Sequence, residues 1–203
     1  MFITFEGIDG SGKSTQAKTL VSTLHAQGKS CIWTREPGGS EGAEVIRKLL
    51  VEGDPNRWSA ETELLLFNAA RRDHLEKTIA PALRRGATVI CDRFVDSTRV
   101  YQGVARADLR PVVDLIHDTM INQEADLTFI IDIDPEIALS RGLARNTGED
   151  RFEDMGLEFQ KRLRAGFIEL AKQFPDRCRI IDGGQSIEAV ERAVLHAYMR
   201  AAS

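Results

Sequence analysis

The sequence predicts an α/β fold, a parallel sheet of about five strands with helices on both faces. Two observations predict it. Short β-branched runs alternate with longer amphipathic segments along the whole chain, the rhythm of strand–helix–strand units. The first run, ITFEG, then passes straight into a glycine-rich turn and a helical segment, GIDGSGKSTQ. At 203 residues the chain can bury one sizeable core. With no internal repeat, low-complexity tract or linker, a single domain over 1–203 is the economical reading.

Taken in order, strands are expected at Phe2–Phe5, Ser30–Thr34, Thr88–Cys91, Leu127–Asp132 and Arg179–Ile181. Helical periodicity covers about 13–27, 42–51, 60–84, 94–103, 109–123, 135–144, 156–173 and 186–201. Pro81 falls near the end of the third helix, where a kink or early termination is expected. The polar stretch RNTGEDRFEDM has no apolar period and reads as a mobile surface loop, part of a lid over about 141–155.

A net charge of -4 argues against a protein built to bind nucleic acid or an anionic membrane. Cys31, Cys91 and Cys178 lie far apart in or beside apolar runs, so buried free thiols are expected. With no apolar stretch near the ~20 residues a bilayer requires and no secretory pattern at the start, a reducing cytoplasm is expected. His25, His74, His117 and His196 fall on predicted helices without metal-ligand spacing, and none is expected to be catalytic.

Gly7-Ile8-Asp9-Gly10-Ser11-Gly12-Lys13-Ser14 satisfies G-x-x-x-x-G-K-[ST] between a strand and a helix, the P-loop of nucleoside triphosphatases. Its glycines let the backbone curl and aim N–H groups inward, and the helix end adds a positive dipole. Lys13 is expected at the β- and γ-phosphates and the Ser14 hydroxyl on Mg²⁺. A Rossmann dinucleotide site fits less well, because the glycines do not form G-x-G-x-x-G. Asp92, at the carboxyl end of ATVICDR, has the position of a second Mg²⁺ group, acting directly or through water.

Several further motifs occur together in order: TREPGG at 34–39, LLLFNAARRDH at 64–74, DRF at 92–94, YQG at 101–103 and DIDPEIAL at 132–139. With the arginine-bearing loop at 141–151, this set resembles the thymidylate kinases over nearly the whole chain. The resemblance implies transfer of the γ-phosphoryl of ATP to dTMP with Mg²⁺, and a homodimer formed through long apolar-faced helices. It implies that Glu36 shapes the monophosphate site and that Arg47 and Arg93 face the acceptor's 5′-phosphate. Phe67 and Arg71, four residues apart on one helix face, become the stacking platform and the donor to a base carbonyl. Ser97 and Gln102 contact the thymine, and Tyr101 crowds the sugar's 2′ position. Asp9 reaches toward the sugar 3′-hydroxyl or the metal. Arg72 and His74 look like neighbours without a clear task.

Some members carry an arginine inside the P-loop where this chain has Gly10. The chain therefore resembles the class that supplies arginine from the lid. Arg145 is expected over the transferred phosphoryl and Arg141 near the adenine, with Arg151 the rival for the catalytic role. Three other readings stay open, the first of them another nucleoside monophosphate kinase. A related deoxynucleoside kinase would use Glu36 as a base toward a hydroxyl, and a GTP-driven switch would carry an N-K-x-D motif, absent here.

Overall fold

The computed structural model describes residues 1–54, 57–106, 108–143 and 155–202, with the side chains of 105–106 and 142–143 left undescribed. Residues 144–154 of the expected lid, Arg145 and Arg151 among them, lie outside the described residues.

Five strands form one wholly parallel sheet: β1 (Phe2–Glu6), β2 (Cys31–Arg35), β3 (Thr88–Asp92), β4 (Leu127–Asp132) and β5 (Cys178–Asp182). Their order is β2-β3-β1-β4-β5, which puts β1 at the centre. The helices are α1 (Lys13–Ala26), α2 (Glu41–Val51), α3 (Ala60–His74), α4 (Ala80–Arg84), α5 (Val95–Val100), α6 (Arg110–Ile116), α7 (Pro135–Leu143), α8 (Leu157–Gln173) and α9 (Ile187–Ala201).

Alternation along the strands divides the core. Ile3 and Phe5 of β1 join Leu127, Phe129 and Ile131 of β4 beneath Leu20 of α1 and Val194 of α9. Phe2 points the other way, into a cluster with Val89, Leu64 and Phe94. Ile130 meets Phe159, Leu163 and Phe167 of α8 in a third cluster that also takes the side chain of Ile8. The three cysteines are free and buried, as expected. Among the described residues no helix is long and apolar enough to cross a membrane.

The expected helix over 60–84 does not end at Pro81. It widens into a π turn at Leu75–Ile79 and continues as α4 to Arg84. Ala80 N–H donates to Leu75 O, five residues back, so the turn is already wide where the ring of Pro81 can donate nothing. The segments at 94–103 and 109–123 also change register. α5 passes into a π turn at Tyr101–Arg106, and α6 into one at His117–Ile121. Tyr101 and Gln102 therefore sit on widened backbone rather than on the regular helix expected over 94–103.

Candidate active site

The carboxyl ends of β1, β2 and β3 lie side by side, and the loops leaving them build one cleft, where ligands of parallel sheets gather. After β1, the loop at Gly7–Gly12 turns on positive-φ glycines. A Cβ on Gly10, at φ 80°, would come within 2.0 Å of Ala138 O on α7. Backbone packing therefore bars an arginine at this position as the loop stands. Lys13 is buried and donates from Nζ to Ile8 O at 2.7 Å. Burial, reinforced by the nearby charge of Arg93, brings its ammonium down to about 8. Ile8 contributes its carbonyl to this contact while its side chain belongs to the core.

Ser14, in the first turn of α1, donates its hydroxyl to Asp92 Oδ2 at the end of β3. Ser14 and Asp92 thus supply a hydroxyl and a carboxylate, the hard oxygen donors Mg²⁺ accepts. Arg93 follows with a left-handed backbone, φ 69°, an uncommon conformation for a side chain of this size. Four contacts hold its guanidinium: Nη1 donates to Gly7 O at 3.0 Å and Ser97 Oγ at 2.8 Å, and Nη2 to Asp9 Oδ1 at 2.6 Å and Tyr101 Oη at 3.1 Å. Tyr101 also donates to Asp9 Oδ2 at 2.9 Å. Burial alone would raise the Asp9 carboxyl, but the cations of Arg93 and Lys13 outweigh it and hold Asp9 well below the usual range.

The opposite wall comes from the loop after β2 and from α3. Arg47 on α2 lines the cleft and donates to Pro37 O at 2.6 Å. Phe67, half-buried, lines the cleft one turn from Arg71, which is buried. Arg71 Nε donates to Glu36 Oε2 at 2.7 Å and Nη2 to Thr98 Oγ1 at 2.9 Å. Gln102 and Ser97 close the same space. The hydroxyl proton of Ser97 goes to Glu6 Oε2 at 2.6 Å, so toward a base Ser97 has only acceptor capacity to offer.

The structure brings together in one cleft Asp9, Lys13, Ser14, Glu36, Arg47, Phe67, Arg71, Asp92, Arg93, Ser97, Tyr101 and Gln102. Gly7, Ile8, Gly10, Ser11 and Gly12 form the adjoining loop. Arg141 is exposed on α7 and does not line the cleft. Several residues around the site escaped sequence reasoning. Glu6 accepts from Phe94 N and Ser97 Oγ; Thr98 and Glu63 brace Arg71 and Gln102. His74 bridges Glu36 Oε1 at 3.1 Å and Thr34 Oγ1 at 2.6 Å, a task its sequence context did not reveal. Of these, Glu6 left a signal, an acid directly after a mostly apolar run.

The P-loop on this sheet, facing a wall of guanidinium and aromatic groups across one cleft, defines a phosphotransferase of the nucleoside monophosphate kinase class. Comparison with known proteins narrows it. The family model for thymidylate kinase matches residues 5–194. Thymidylate kinase of Jannaschia sp. (strain CCS1) is 63% identical over 194 residues, 96% of this chain and 93% of that one. That of Dinoroseobacter shibae is 66% identical over 183 residues, covering 90% and 88%. A crystal structure of thymidylate kinase from Ehrlichia chaffeensis superposes with a TM-score of 0.78 at 38% identity, over 98% of each chain. The chain belongs to the thymidylate kinase family.

Proposed function

We propose that the chain transfers the γ-phosphoryl of ATP to the 5′-phosphate of dTMP, giving dTDP and ADP, within one nucleoside monophosphate kinase domain over 1–203. The observation that carries this reading, beside family membership, is that P-loop residues Lys13 and Ser14 line the same cleft as Arg47, Phe67, Arg71 and Arg93. Phosphoryl transfer is catalysed largely by positioning and by cations around the moving group. Lys13 and Arg93 supply fixed cations on the two sides of the transfer path. Arg47 offers the acceptor phosphate a planar donor fork, and Arg93, whose Nη atoms are already bonded, faces it with its charge and Nε. Phe67 stacks on the base, and Arg71, Gln102 and Ser97 read its edge. Tyr101 crowds the sugar, and Asp9, kept ionised, accepts from the sugar 3′-hydroxyl. Glu36 shapes the acceptor wall by holding Arg71.

Ser14 and Asp92 would hold Mg²⁺, which would supply positive charge to offset that of the phosphates. Among the lid residues, Arg145 is assigned to the transferred phosphoryl and Arg141 to the adenine side. No general base is needed, because the attacking phosphate oxygen carries no proton to remove.

A homodimer in the cytoplasm completes the reading. Exposed Val45 and Leu49 on α2, Leu65 on α3 and Leu115 on α6 are the apolar side chains that favour such an interface.

The test is an acceptor panel of dTMP, dUMP, thymidine, UMP, CMP and AMP with Mg-ATP, followed by ADP release. dTMP is expected to give the highest kcat/KM. Turnover on thymidine matching that on dTMP, or ATP consumption independent of any acceptor, overturns the proposal.

A further inference from the structure

Two buried polar atoms on the acceptor side have no hydrogen-bond partner among the described residues: Arg71 Nη1, a donor, and Gln102 Oε1, an acceptor. Both side chains line the cleft, and both are almost wholly buried, at 2% and 1% exposed. Each is braced by another side chain at its remaining polar atoms. Glu36 and Thr98 take two nitrogens of Arg71. Glu63 takes Gln102 Nε2 at 3.1 Å through Oε2.

Glu63, Phe67 and Arg71 recur every four residues on one face of α3. The helix that presents the stacking ring and the arginine therefore also presents the carboxylate beneath Gln102. An amide side chain has one accepting and one donating end, and nothing intrinsic decides which faces a ligand. The contact with Glu63 decides it, because Gln102 Nε2 donates to Glu63 Oε2. With Nε2 turned to Glu63, the carbonyl of Gln102 is the end left for the cleft.

We propose that Glu63 is a specificity-determining positioning residue, which fixes the Gln102 amide so that its oxygen accepts from the ring N–H of a keto pyrimidine. The inference rests on the dTMP reading above. A keto pyrimidine presents a carbonyl beside a ring N–H, the complement of the Arg71 donor and the Gln102 acceptor. An amino pyrimidine presents an amino group beside a ring nitrogen lone pair, so donor meets donor and acceptor meets acceptor. Mispaired polar atoms in a buried site are expensive to leave unmet, and sites built on such pairs discriminate by about 10⁴–10⁵-fold. Glu63→Gln removes the device at nearly constant volume. The introduced amide both donates and accepts, so either orientation of Gln102 is satisfied, and the flipped one suits cytosine.

The experiment measures kcat and KM for dTMP and dCMP with Mg-ATP in the wild type, in Glu63→Gln, and in Glu63→Gln combined with Gln102→Glu. Wild-type turnover on dTMP comes first; its absence would refute the proposed function and leave the role of Glu63 a separate matter. Given that turnover, Glu63→Gln is expected to lower the dTMP-to-dCMP ratio of kcat/KM about tenfold or more. The dTMP change should fall mainly in KM, since binding of the base and not the reacting phosphates is altered. The paired variant exchanges donor and acceptor across the same contact, keeps an acceptor toward the base, and should restore the ratio to within about threefold of wild type. It also decides the matter if the single variant does not fold. A ratio within about twofold of wild type in Glu63→Gln, with both acceptors affected alike, assigns Glu63 a purely structural role and overturns the proposal. So does a paired variant that folds and fails to restore the ratio.

Discussion

Arg71 and Glu36 form a buried ion pair that leaves the carboxylate no idle oxygen: Arg71 Nε lies 2.7 Å from Oε2, and His74 Nδ1 lies 3.1 Å from Oε1. A base that takes a proton from a sugar hydroxyl must reach that hydroxyl. Glu36 instead spends one oxygen on Arg71 and the other on His74. This favours a kinase whose acceptor already bears a phosphate over one that phosphorylates thymidine.

Glu36→Gln tests that role. It leaves the Arg71 guanidinium buried without its counter-charge, which destabilises by about 3 kcal/mol, or roughly 6–12 °C in Tm for a chain of this size. The KM for dTMP should rise more than kcat falls, as read by steady-state kinetics below the unfolding range. A base role predicts the reverse, a collapse of kcat with KM unchanged.

Asp96 gives the fold a pH dependence. It is 2% exposed on α5, next to Ser97, and accepts from Arg177 Nη2 and Arg99 Nη1, each at 2.9 Å. Burial pushes its carboxyl up, but the two guanidinium groups outweigh this and hold it below the ordinary value. A depressed carboxyl adds stability that is present above the unfolded value of about 3.9 and is lost as pH falls through the folded value. Asp96→Asn should therefore be less stable than wild type at pH 7 by about 3 kcal/mol. The gap should close as pH drops below about 4, in urea titrations run at a series of pH values. A gap that stays constant with pH would assign Asp96 a role in packing alone.

Gly10 and Gly12 separate backbone strain from crowding. Both have positive φ, 80° and 94°, but a Cβ at Gly10 meets Ala138 O whereas one at Gly12 meets nothing within 4 Å. Gly12→Ala should lose only the left-handed penalty of about 1–2 kcal/mol, a Tm fall of a few degrees. Gly10→Ala should fall further, because a carbonyl on α7 must move. Equal shifts in thermal unfolding would mean the loop yields freely at position 10.

The crowding at Gly10 leaves the transition-state cation to be supplied from elsewhere. Arg145→Ala should lower kcat about 10³-fold with the KM for dTMP little changed, while Arg151→Ala should be milder. The opposite ranking in single-turnover assays would move the role to Arg151.

Sequence made the sheet legible because each strand is a short apolar run with a distinct boundary. Expected and observed ends agree to within a residue, as at Thr88, Leu127 and Asp132. The P-loop was legible because glycine spacing reports backbone shape directly. The π turns were not, since the pattern that separates a wide turn from an α turn lies in which carbonyl takes the bond from Ala80, not in apolar spacing. The residues that aim the site were also hidden. Glu36 and His74 meet across 38 positions, and Gln102 and Glu63 across 39. A single acid such as Glu63 on an amphipathic helix looks like any solvated charge until the fold buries it. Arg47, Arg71 and Arg93 were assigned through family resemblance, and the fold then gathered them around one cleft.

The most direct test is a crystal structure of the ternary complex with dTMP and a non-hydrolysable ATP analogue. The account predicts the triphosphate in the loop around Lys13 and the thymine against Phe67. The Arg71 guanidinium should lie within hydrogen-bond distance of a base carbonyl, and the 5′-phosphate should contact Arg93. A thymine nucleotide bound away from Phe67, Arg71 and Arg93 would contradict it.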